Sequence, residues 1–335
     1  MSLEHYSIDK NTGMPKYQQL VESLILAIQK DKFKKGDKIP SINEVCKKFK
    51  LSRDTVLMAY NKLKAMGIIE SVPGKGYYIN SVSTNFTHKI FVLFDELNAF
   101  KENLYNSFID GLKGNADVDL YFHNFNPKLF KSLISSNKGI YTSYVIMPAN
   151  LKGTTSIIDK LEDSKVFILD QINEVFAEKY PAVYQDFSAD MYNALLSGKD
   201  LLEKYEKLIL VFPGGKEPLG QKNGFLNYCE SENVNHEIIS TLKERKIKKG
   251  EVYIMPSDND LVTLIKRCKA NKLEIGSDLG IISYNDTPLK EVVCEGVTTI
   301  STDFARMGKC MAEMILNNER GLKANPSRLI RRSSL

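Results

Sequence analysis

The chain has 335 residues, of which 43% are hydrophobic and 26% are charged, an ordinary composition for a globular protein of two or three domains. The first ten residues lack an apolar core and no window approaches about 18 uncharged apolar residues, so neither a signal peptide nor a membrane span is predicted. The five cysteines and four histidines are scattered without ligand spacing. This argues against a disulfide framework and a metal site, and indicates a reduced, cytoplasmic protein.

Positive charge is concentrated in the first quarter of the chain. Residues 1–80 carry a net charge of +6, whereas residues 81–335 carry −1. Such asymmetry is typical of a nucleic-acid-binding segment joined to a neutral domain. A basic solvated face is the commoner cause of a mild excess, so charge alone does not decide between the two.

Three helices are expected in this basic segment. The first begins at Pro15, in the first helical turn, carries an apolar stripe that includes Leu20 and Leu24, and has a stop signal at Gly36. The second starts after Ser41, which has the spacing of a capping box with a glutamate three residues later. The third follows a gap of about three residues, the short turn of a helix-turn-helix. Two alternating runs joined by VPGKG then predict a hairpin.

The order IPS-INEVCKKF-KLSRDTVLMAYNKLKAMGIIESVPGKGYYI resembles the DNA-binding domain of the GntR family of bacterial transcriptional regulators. In that family Leu-Pro-Ser, a helix, Ser-Arg-x-Thr-Val, a second helix and Gly-Leu-Ile precede a glycine-containing wing. The resemblance covers about residues 12–80 and implies a winged helix-turn-helix over 1–80 that binds a double-stranded DNA operator. Asn43 and Leu57 stand where the family often has arginine, which weighs against a guanine-centred operator.

The predicted DNA contacts lie on the second helix, at the start of the third helix and in the wing. Arg53 is the only arginine among the first 244 residues, and its fork suits guanine or a phosphate at a helix N-terminus. The alternative is that Ser52 only caps its helix and that Arg53 pairs with Asp54 or Glu44. The full predicted set is Ser41, Asn43, Ser52, Arg53, Asp54, Thr55, Gly74, Lys75 and Gly76.

Beyond a polar linker at 81–88, apolar runs alternate with amphipathic helical patterns over residues 89–335. Continuous apolar strands that are each followed by a helix predict an α/β fold with parallel sheets, long enough for two lobes. The expected strands are 89–95, 143–148, 165–170, 207–213, 251–256 and 278–286, and the expected helices are 101–113, 153–162, 188–204, 218–230 and 258–271.

The segments MPSDNDLVTLIKRCKANKLEIGSDLGIISYNDTPL and VTTISTDFARMGKCMAEMIL, with a basic run near the end, resemble the effector domain of the LacI/GalR family. The resemblance implies that 89–335 is a two-lobed domain related to periplasmic sugar-binding proteins. A GntR-type head on a LacI-type body is similar to arabinose-responsive repressors. It also implies a homodimer whose operator binding responds to a small-molecule inducer, a sugar.

In such a fold the ligand binds where parallel strands end. Gln221 stands where the family usually has arginine, which favours a neutral sugar over an anionic one. Structural alternatives remain: Asp170 as a turn cap, Asp258 as a residue that orders the hinge, and Asn285 as part of a turn with Thr287 and Pro288. The predicted ligand-binding residues are Asp95, Asn98, Asp170, Tyr184, Asp186, Gln221, Ser257, Asp258, Asn285 and Asp286.

Sequence motifs for catalysis or cofactor binding are absent, because GxGxxG, GxxxxGK[ST], HExxH and GxSxG do not occur. We therefore expect no cofactor and a transcriptional regulator rather than an enzyme, most simply a repressor of carbohydrate-utilisation genes. The alternative from another class is a carbohydrate-active enzyme with paired carboxylates such as Asp95 and Asp186. A binding module without DNA function is a third possibility, against which the helix-turn-helix argues.

Overall fold

The computed structural model describes residues 3–6, 8, 15–82 and 88–335. These residues form two compact units. The first contains the described part of 1–92 with 113–120 and 136–144, and the second contains 93–112, 121–135 and 145–335.

The expected linker, 81–88, falls mostly on residues 83–87, which lie outside the described residues. Its last residue, His88, already belongs to a strand. The domain boundaries at 80 and 89 therefore stay predictions.

The first unit begins with a winged helix-turn-helix, as the sequence predicted. After a short 3₁₀ helix at Leu3–His5 come α1 (Lys16–Gln29), α2 (Ile42–Phe49), α3 (Arg53–Ala65), β1 (Ile69–Val72) and β2 (Gly76–Ile79). The two strands pair as an antiparallel hairpin. The expectation that α1 runs to a stop at Gly36 was wrong. Gly36 instead forms a turn with a φ of 88° and donates its N–H to Ile79 O at 2.7 Å, which ties the turn to β2.

A continuous apolar core holds this head together. Leu20 and Leu24 of α1 and Val56 and Leu63 of α3 are completely buried. Tyr60 is also buried, and its hydroxyl donates to Pro40 O at 2.6 Å. Burial of side chains of this size contributes about 1.5–3 kcal/mol each. The core therefore packs α1 against α3.

The remaining residues alternate between strands and helices. The strands are β3 (His88–Phe94), β4 (Ala116–Phe122), β5 (Ser143–Ile146), β6 (Val166–Asp170), β7 (Ala182–Tyr184), β8 (Lys207–Val211), β9 (His236–Ile239), β10 (Glu251–Met255), β11 (Gly280–Tyr284), β12 (Thr298–Thr302), β13 (Leu322–Ala324) and β14 (Ser327–Ile330). The helices are α4 (Ala99–Leu112), α5 (Pro127–Ser136), α6 (Thr154–Ile158), α7 (Glu174–Lys179), α8 (Phe187–Ser197), α9 (Lys199–Leu202), α10 (Leu219–Ser231), α11 (Asp258–Ala270), α12 (Pro288–Val292) and α13 (Phe304–Leu316), with short 3₁₀ turns at Asp163–Lys165 and Val293–Glu295.

The strands form two six-stranded sheets, in the orders β13-β7-β6-β5-β3-β4 and β14-β12-β11-β10-β8-β9. Adjacent strands from β9 to β12 in the second sheet are parallel, and only β14 runs antiparallel, beside β12. The central strands β6, β10, β11 and β12 are buried along their whole length. That burial is typical of parallel sheets covered by helices on both faces, and the predicted α/β class is confirmed.

Two predicted helices differ from the structure. The helix expected at 153–162 is a five-residue segment, α6. The helix expected at 188–204 is divided into α8 and α9 at Gly198. A Cβ at Gly198 would lie 2.6 Å from Leu329 Cδ2. The close approach of β14 therefore accounts for the glycine, which interrupts the helical pattern.

A close contact between α8 and α10 positions one predicted ligand residue. A Cβ at Gly224 of α10 would lie 2.2 Å from the backbone oxygen of Ser188 on α8, so only glycine fits there. The contact brings α10 against α8 and leaves Gln221, one turn earlier, buried with 3% of its surface exposed. The glycine thus determines where the Gln221 amide lies.

Candidate functional site

The start of α3 is a capped helix N-terminus. Ser52 caps it by accepting from Thr55 N at 3.2 Å. Ser41 and Glu44 form the predicted reciprocal capping box on α2. Both caps fix helix N-termini, where backbone N–H groups and the helix dipole favour a phosphate.

Arg53 lies exposed at the first position of α3. Its Nη1 donates to Asn43 Oδ1 on α2 at 3.0 Å. Within the described residues it forms no ion pair with Asp54 or Glu44. The structure thus brings Arg53 and Asn43 together, and Asp54 stays exposed beside them.

The wing turn needs both of its glycines. Gly74 and Gly76 have φ values of 74° and 112°, which side-chain-bearing residues rarely adopt. Lys75 between them is exposed. A Cβ at Gly76 would lie 3.2 Å from Lys38 Cε, so a second lysine, which the sequence analysis missed, lies against the wing.

The second unit contains a polar cavity of about 410 Å³, within the range of small-molecule sites. Strand ends from both sheets contribute to its wall, as expected for an α/β binding fold. Phe100 and Phe304 stack at the wall with ring centroids 4.8 Å apart. Of the predicted ligand residues, seven line this cavity: Asp95, Asn98, Asp170, Gln221, Ser257, Asp258 and Asn285.

Three other predicted ligand residues lie outside this wall. Tyr184 and Asp186 line an adjoining cavity of about 300 Å³, which shares Gln185 and Phe187 with the first, and Asp186 caps α8 by accepting from Ala189 N. Asp286 lines a third cavity, where Arg332 holds its carboxylate with contacts of 2.7 and 2.9 Å. Burial alone would raise the Asp286 pKa, but hydrogen bonds from Arg332 and Thr299 outweigh burial and lower it. The Asp286 carboxylate thus forms structural contacts within the protein.

A buried ionic network spans two strand ends in the cavity wall. Lys101 of α4 contacts Asp95 after β3, and its Nζ lies 3.7 Å from Asp170 Oδ2 at the end of β6. All three side chains are at least nine-tenths buried. Burial raises the Asp170 pKa, and the charge of Lys101 opposes that rise. Lys101 offsets part of the cost of burying two carboxylates.

Gln185 joins this network and lines the cavity. Its Nε2 donates to Asp170 Oδ1 at 2.5 Å, which fixes the orientation of the amide. Its Oε1 is buried and has no hydrogen-bond partner among the described residues. Gln221 Oε1 and Asn285 Oδ1 are likewise buried and unpaired within the described part of the chain. Three residues that line one cavity therefore carry a buried amide oxygen without a hydrogen-bond partner in the described part of the chain.

Some predicted ligand residues have clear structural duties as well. Ser257 caps α11 by accepting from Asp260 N at 3.3 Å. Asn98 accepts from Lys101 N at 3.1 Å at the start of α4. Asp258 pairs with Lys290 at 2.9 Å, in keeping with the alternative that it orders local structure.

Lys101, Gln185 and the two stacked phenylalanines were missed by the sequence analysis. Gln185 sits between Tyr184 and Asp186, both of which were predicted, so its position at a strand end was a usable signal. Lys101 had no such signal, because a lysine in an amphipathic helix normally faces water.

Asp190 of α8 has a carboxylate oxygen that is buried and unpaired within the described residues. Burial, with a smaller contribution from Asp186, raises its pKa to about 7. Because the folded-state pKa lies above the unfolded value, folding becomes less favourable as pH rises towards and through 7.

We therefore expect Asp190→Asn to raise the melting temperature more at pH 8 than at pH 5, by about 2–4 °C for each kcal/mol regained. Thermal unfolding at the two pH values measures the difference. Asp110→Asn, at an exposed position of α4, is the control and should show no such pH dependence. An equal effect of Asp190→Asn at both pH values would contradict the assignment.

Two further findings on the described residues concern metal-binding clusters and membrane-spanning helices. Among the described residues, no cluster of three or more His, Cys, Asp or Glu side chains could hold a metal ion. In the same part of the chain, no helix has the length and apolar character needed to cross a membrane.

A winged helix-turn-helix combined with two parallel sheets and a polar cavity at their strand ends defines a class of two-part binding proteins. Residues 16–79 match the family described as bacterial regulatory proteins, gntR family, and residues 221–335 match the periplasmic binding protein-like domain. The chain therefore joins a GntR-type head to a periplasmic-binding-protein-like body, and the two resemblances seen in the sequence are confirmed.

Curated relatives match either the head or most of the chain. The HTH-type transcriptional repressor YtrA of Bacillus subtilis is 36% identical over 73 residues, which cover 22% of this chain and 56% of YtrA. The arabinose metabolism transcriptional repressor of Geobacillus stearothermophilus is 32% identical over 71 residues, 21% of this chain and 20% of that protein. The transcriptional regulator GalR of Streptococcus thermophilus is 21% identical over 71% of this chain and 84% of its own length. The chain thus spans about half of YtrA and a fifth of the arabinose repressor.

Solved structures share the fold of the body. The trehalose repressor from Escherichia coli has a TM-score of 0.59 at 14% identity, covering 72% of this chain and 99% of that chain. A LacI family transcriptional regulator from Silicibacter pomeroyi has a TM-score of 0.62 at 12% identity, and the match covers 74% of this chain and 98% of that chain. At these identities the likeness shows the fold alone, which agrees with the predicted α/β class.

Proposed function

We propose that this protein is a sequence-specific DNA-binding transcriptional regulator, a repressor of carbohydrate-utilisation genes, controlled by a small neutral sugar. The observation that carries the proposal is the cavity at the strand ends, where the amides of Gln185, Gln221 and Asn285 have unpaired oxygens beside a stacked aromatic pair. Sugar hydroxyls can donate to such oxygens, and the apolar face of a ring can pack on phenylalanine.

The preference for a neutral ligand rests on the charges that line the cavity. Lys101 is engaged with Asp95 and Asp170, and Lys216 pairs with Glu96 at 2.7 Å. The lining cations are thus already paired with carboxylates. A phosphate or carboxylate on the ligand would have to compete with these partners, whereas hydroxyl groups need not.

DNA binding is supported by the capped start of α3, the exposed Arg53 and the wing lysine. The names of the relatives also favour this function, since they include repressors and a repressor of arabinose metabolism. We further propose a homodimer, because two heads would then reach half-sites about one helical turn apart.

The proposed mechanism is a shift between two populations. A sugar that binds one arrangement of the two lobes more tightly shifts the protein towards it, and so changes how two heads fit the operator. Thermodynamic linkage then requires that sugar and operator alter each other's affinity by the same factor.

The first part of the test identifies the sugar. D-glucose, D-galactose, D-xylose and L-arabinose are added singly to the full chain, and the melting temperature is recorded. A bound sugar stabilises by mass action, by about 2.7 kcal/mol at a hundredfold excess over its dissociation constant. Gluconate and glucose 6-phosphate are the anionic controls, and stabilisation by these alone would contradict a neutral ligand.

The second part tests regulation. The stabilising sugar is titrated with and without an operator fragment selected from random DNA by the full chain. We expect the two dissociation constants to differ, whereas identical values would contradict an allosteric regulator. The sugar should be recovered unchanged from the complex, whereas consumption of the sugar would favour the enzyme alternative with Asp95 and Asp186.

A further inference from the structure

Lys290 of α12 is a lysine in an unusual place. Only 4% of its surface is exposed, whereas lysine is almost never fully buried unless it is paired. Burial lowers its pKa, and the nearby Asp258 opposes that change. The side chain is therefore kept in the interior by specific contacts rather than by apolar packing.

Three acceptors surround the ammonium group. Lys290 Nζ donates to Tyr284 O at 3.0 Å and to Asn285 O at 2.7 Å, and lies 2.9 Å from Asp258 Oδ1. An ammonium group has three protons, so each proton has one acceptor. A buried charge with every donor satisfied tolerates burial, and loss of the ammonium group would remove one donor from each of two backbone carbonyls.

These acceptors belong to two different strand ends. Tyr284 ends β11 and Asn285 follows it, whereas Asp258 begins α11 directly after the cap residue Ser257, which follows β10. Except for Lys290 itself, all of these residues line the cavity of about 410 Å³. Lys290, which does not line the cavity itself, thus connects the end of β11 with the start of α11 in the candidate sugar site.

The hydrogen bond from Lys290 to the Asn285 carbonyl holds an unusual backbone conformation in place. Asn285 has a φ of 62°, in the left-handed region that few residues with side chains adopt. Its N–H donates to Ile300 O at 2.8 Å, and its carbonyl accepts from Lys290. The two hydrogen bonds hold the peptide groups on either side of the Asn285 Cα, so they determine where the Asn285 amide lies.

We infer that Lys290 is a positioning residue, whose ammonium fixes the Asn285 amide and the Ser257–Asp258 turn in the arrangement that binds the ligand. This inference rests on the proposed sugar site, but the local order it predicts exists without any sugar. Lys290 does not contact the ligand and acts only through the residues that do.

Hydrogen exchange on the sugar-free full chain is the first test. Lys290→Met removes the three contacts and keeps the length of the side chain. We expect faster exchange in the peptides that contain 257–260 and 284–287, with unchanged exchange over 166–170. Lys266→Met, an exposed lysine of α11, loses the same charge and should leave both peptides unchanged. Exchange in Lys290→Met equal to that of the parent would overturn the inference, whatever the sugar panel shows.

A double-mutant cycle is the second test, with whichever of the four neutral sugars stabilises the parent. Lys290→Met should weaken binding at least about tenfold, and the loss should shrink when Asn285→Ala is already present, because the two residues act together. Losses that multiply independently would overturn the inference. If Lys290→Met does not fold, Lys290→Gln, which retains two N–H donors, should give the same pattern with smaller changes. If no sugar binds the parent, the proposed function fails while the exchange result still decides the role of Lys290.

Discussion

Arg53→Ala is expected to weaken binding to the specific operator by about 1–3 kcal/mol, or roughly 5- to 150-fold, while sugar binding stays intact. Arg53 is exposed at the start of α3, and its guanidinium is held by Asn43 rather than by a carboxylate. A hydrogen bond to a neutral amide leaves the positive charge and most of the donor fork available for a base edge or a phosphate.

Two further variants separate the possible contributions of Arg53. Arg53→Lys keeps the charge but removes the fork, so it should recover non-specific binding and not operator preference. Asn43→Ala removes the side chain that orients Arg53, and we expect a smaller loss of the same kind. Titrations at one fixed salt concentration measure these differences, because phosphate contacts are strongly salt-dependent. Operator affinity of Arg53→Ala equal to that of the parent would remove Arg53 from the DNA contacts.

The head could be predicted almost completely from the sequence because its signals are local. The capping box of Ser41 and Glu44 spans three residues, and the wing turn is specified by Gly74 and Gly76. The error at the end of α1 has the same origin. Gly36 is a valid stop signal, but its turn pairs with Ile79, forty-three residues later in the chain, and that contact is not visible locally.

In the body, the buried strands β5, β6, β8, β10 and β11 were predicted, whereas the interior strands β7 and β12 and the edge strands β4, β9 and β13 were not. β10 and β11 are continuous apolar runs, whereas β4 alternates between partly buried and exposed residues and β13 has three residues. β13 pairs with β7, about 140 positions earlier, so its strand conformation depends on a distant partner. Short edge strands carry little pattern of their own, and tertiary contacts decide them.

The residues of the candidate site also fall into two groups, those that local sequence could place and those that depend on distant partners. Residues directly after apolar strands, such as Asp95, Asp170 and Asn285, could be placed at the cavity from sequence position alone. Lys101 and Lys290 could not, because each is defined by partners from separate elements. A sequence shows which residues can reach the end of a sheet, but the ion pairs that order them there become visible only when the strands are assembled.

Asn285→Ala is expected to lower affinity for the neutral sugar about 10- to 100-fold. Asn285 lines the cavity, and its Oδ1 is buried without a partner in the described part of the chain. A ligand hydroxyl that loses its partner inside the site costs about 1–3 kcal/mol, which corresponds to this range. Operator binding without sugar should be unchanged, because the substitution leaves the residues of the winged helix as they are. Calorimetric titration of the sugar and operator titration measure the two effects.

The left-handed backbone of Asn285 calls for a matched variant, because alanine at a φ of 62° is strained as well as shortened. Asn285→Gly also removes the amide but adopts this backbone without strain. If the amide binds the sugar, both variants lose affinity to a similar extent, and only alanine lowers the melting temperature. If Asn285 merely completes a turn with Thr287 and Pro288, Asn285→Gly binds sugar as the parent does. That result would remove Asn285 from the site, and it would leave Gln185 and Gln221 as the amides that contact the ligand.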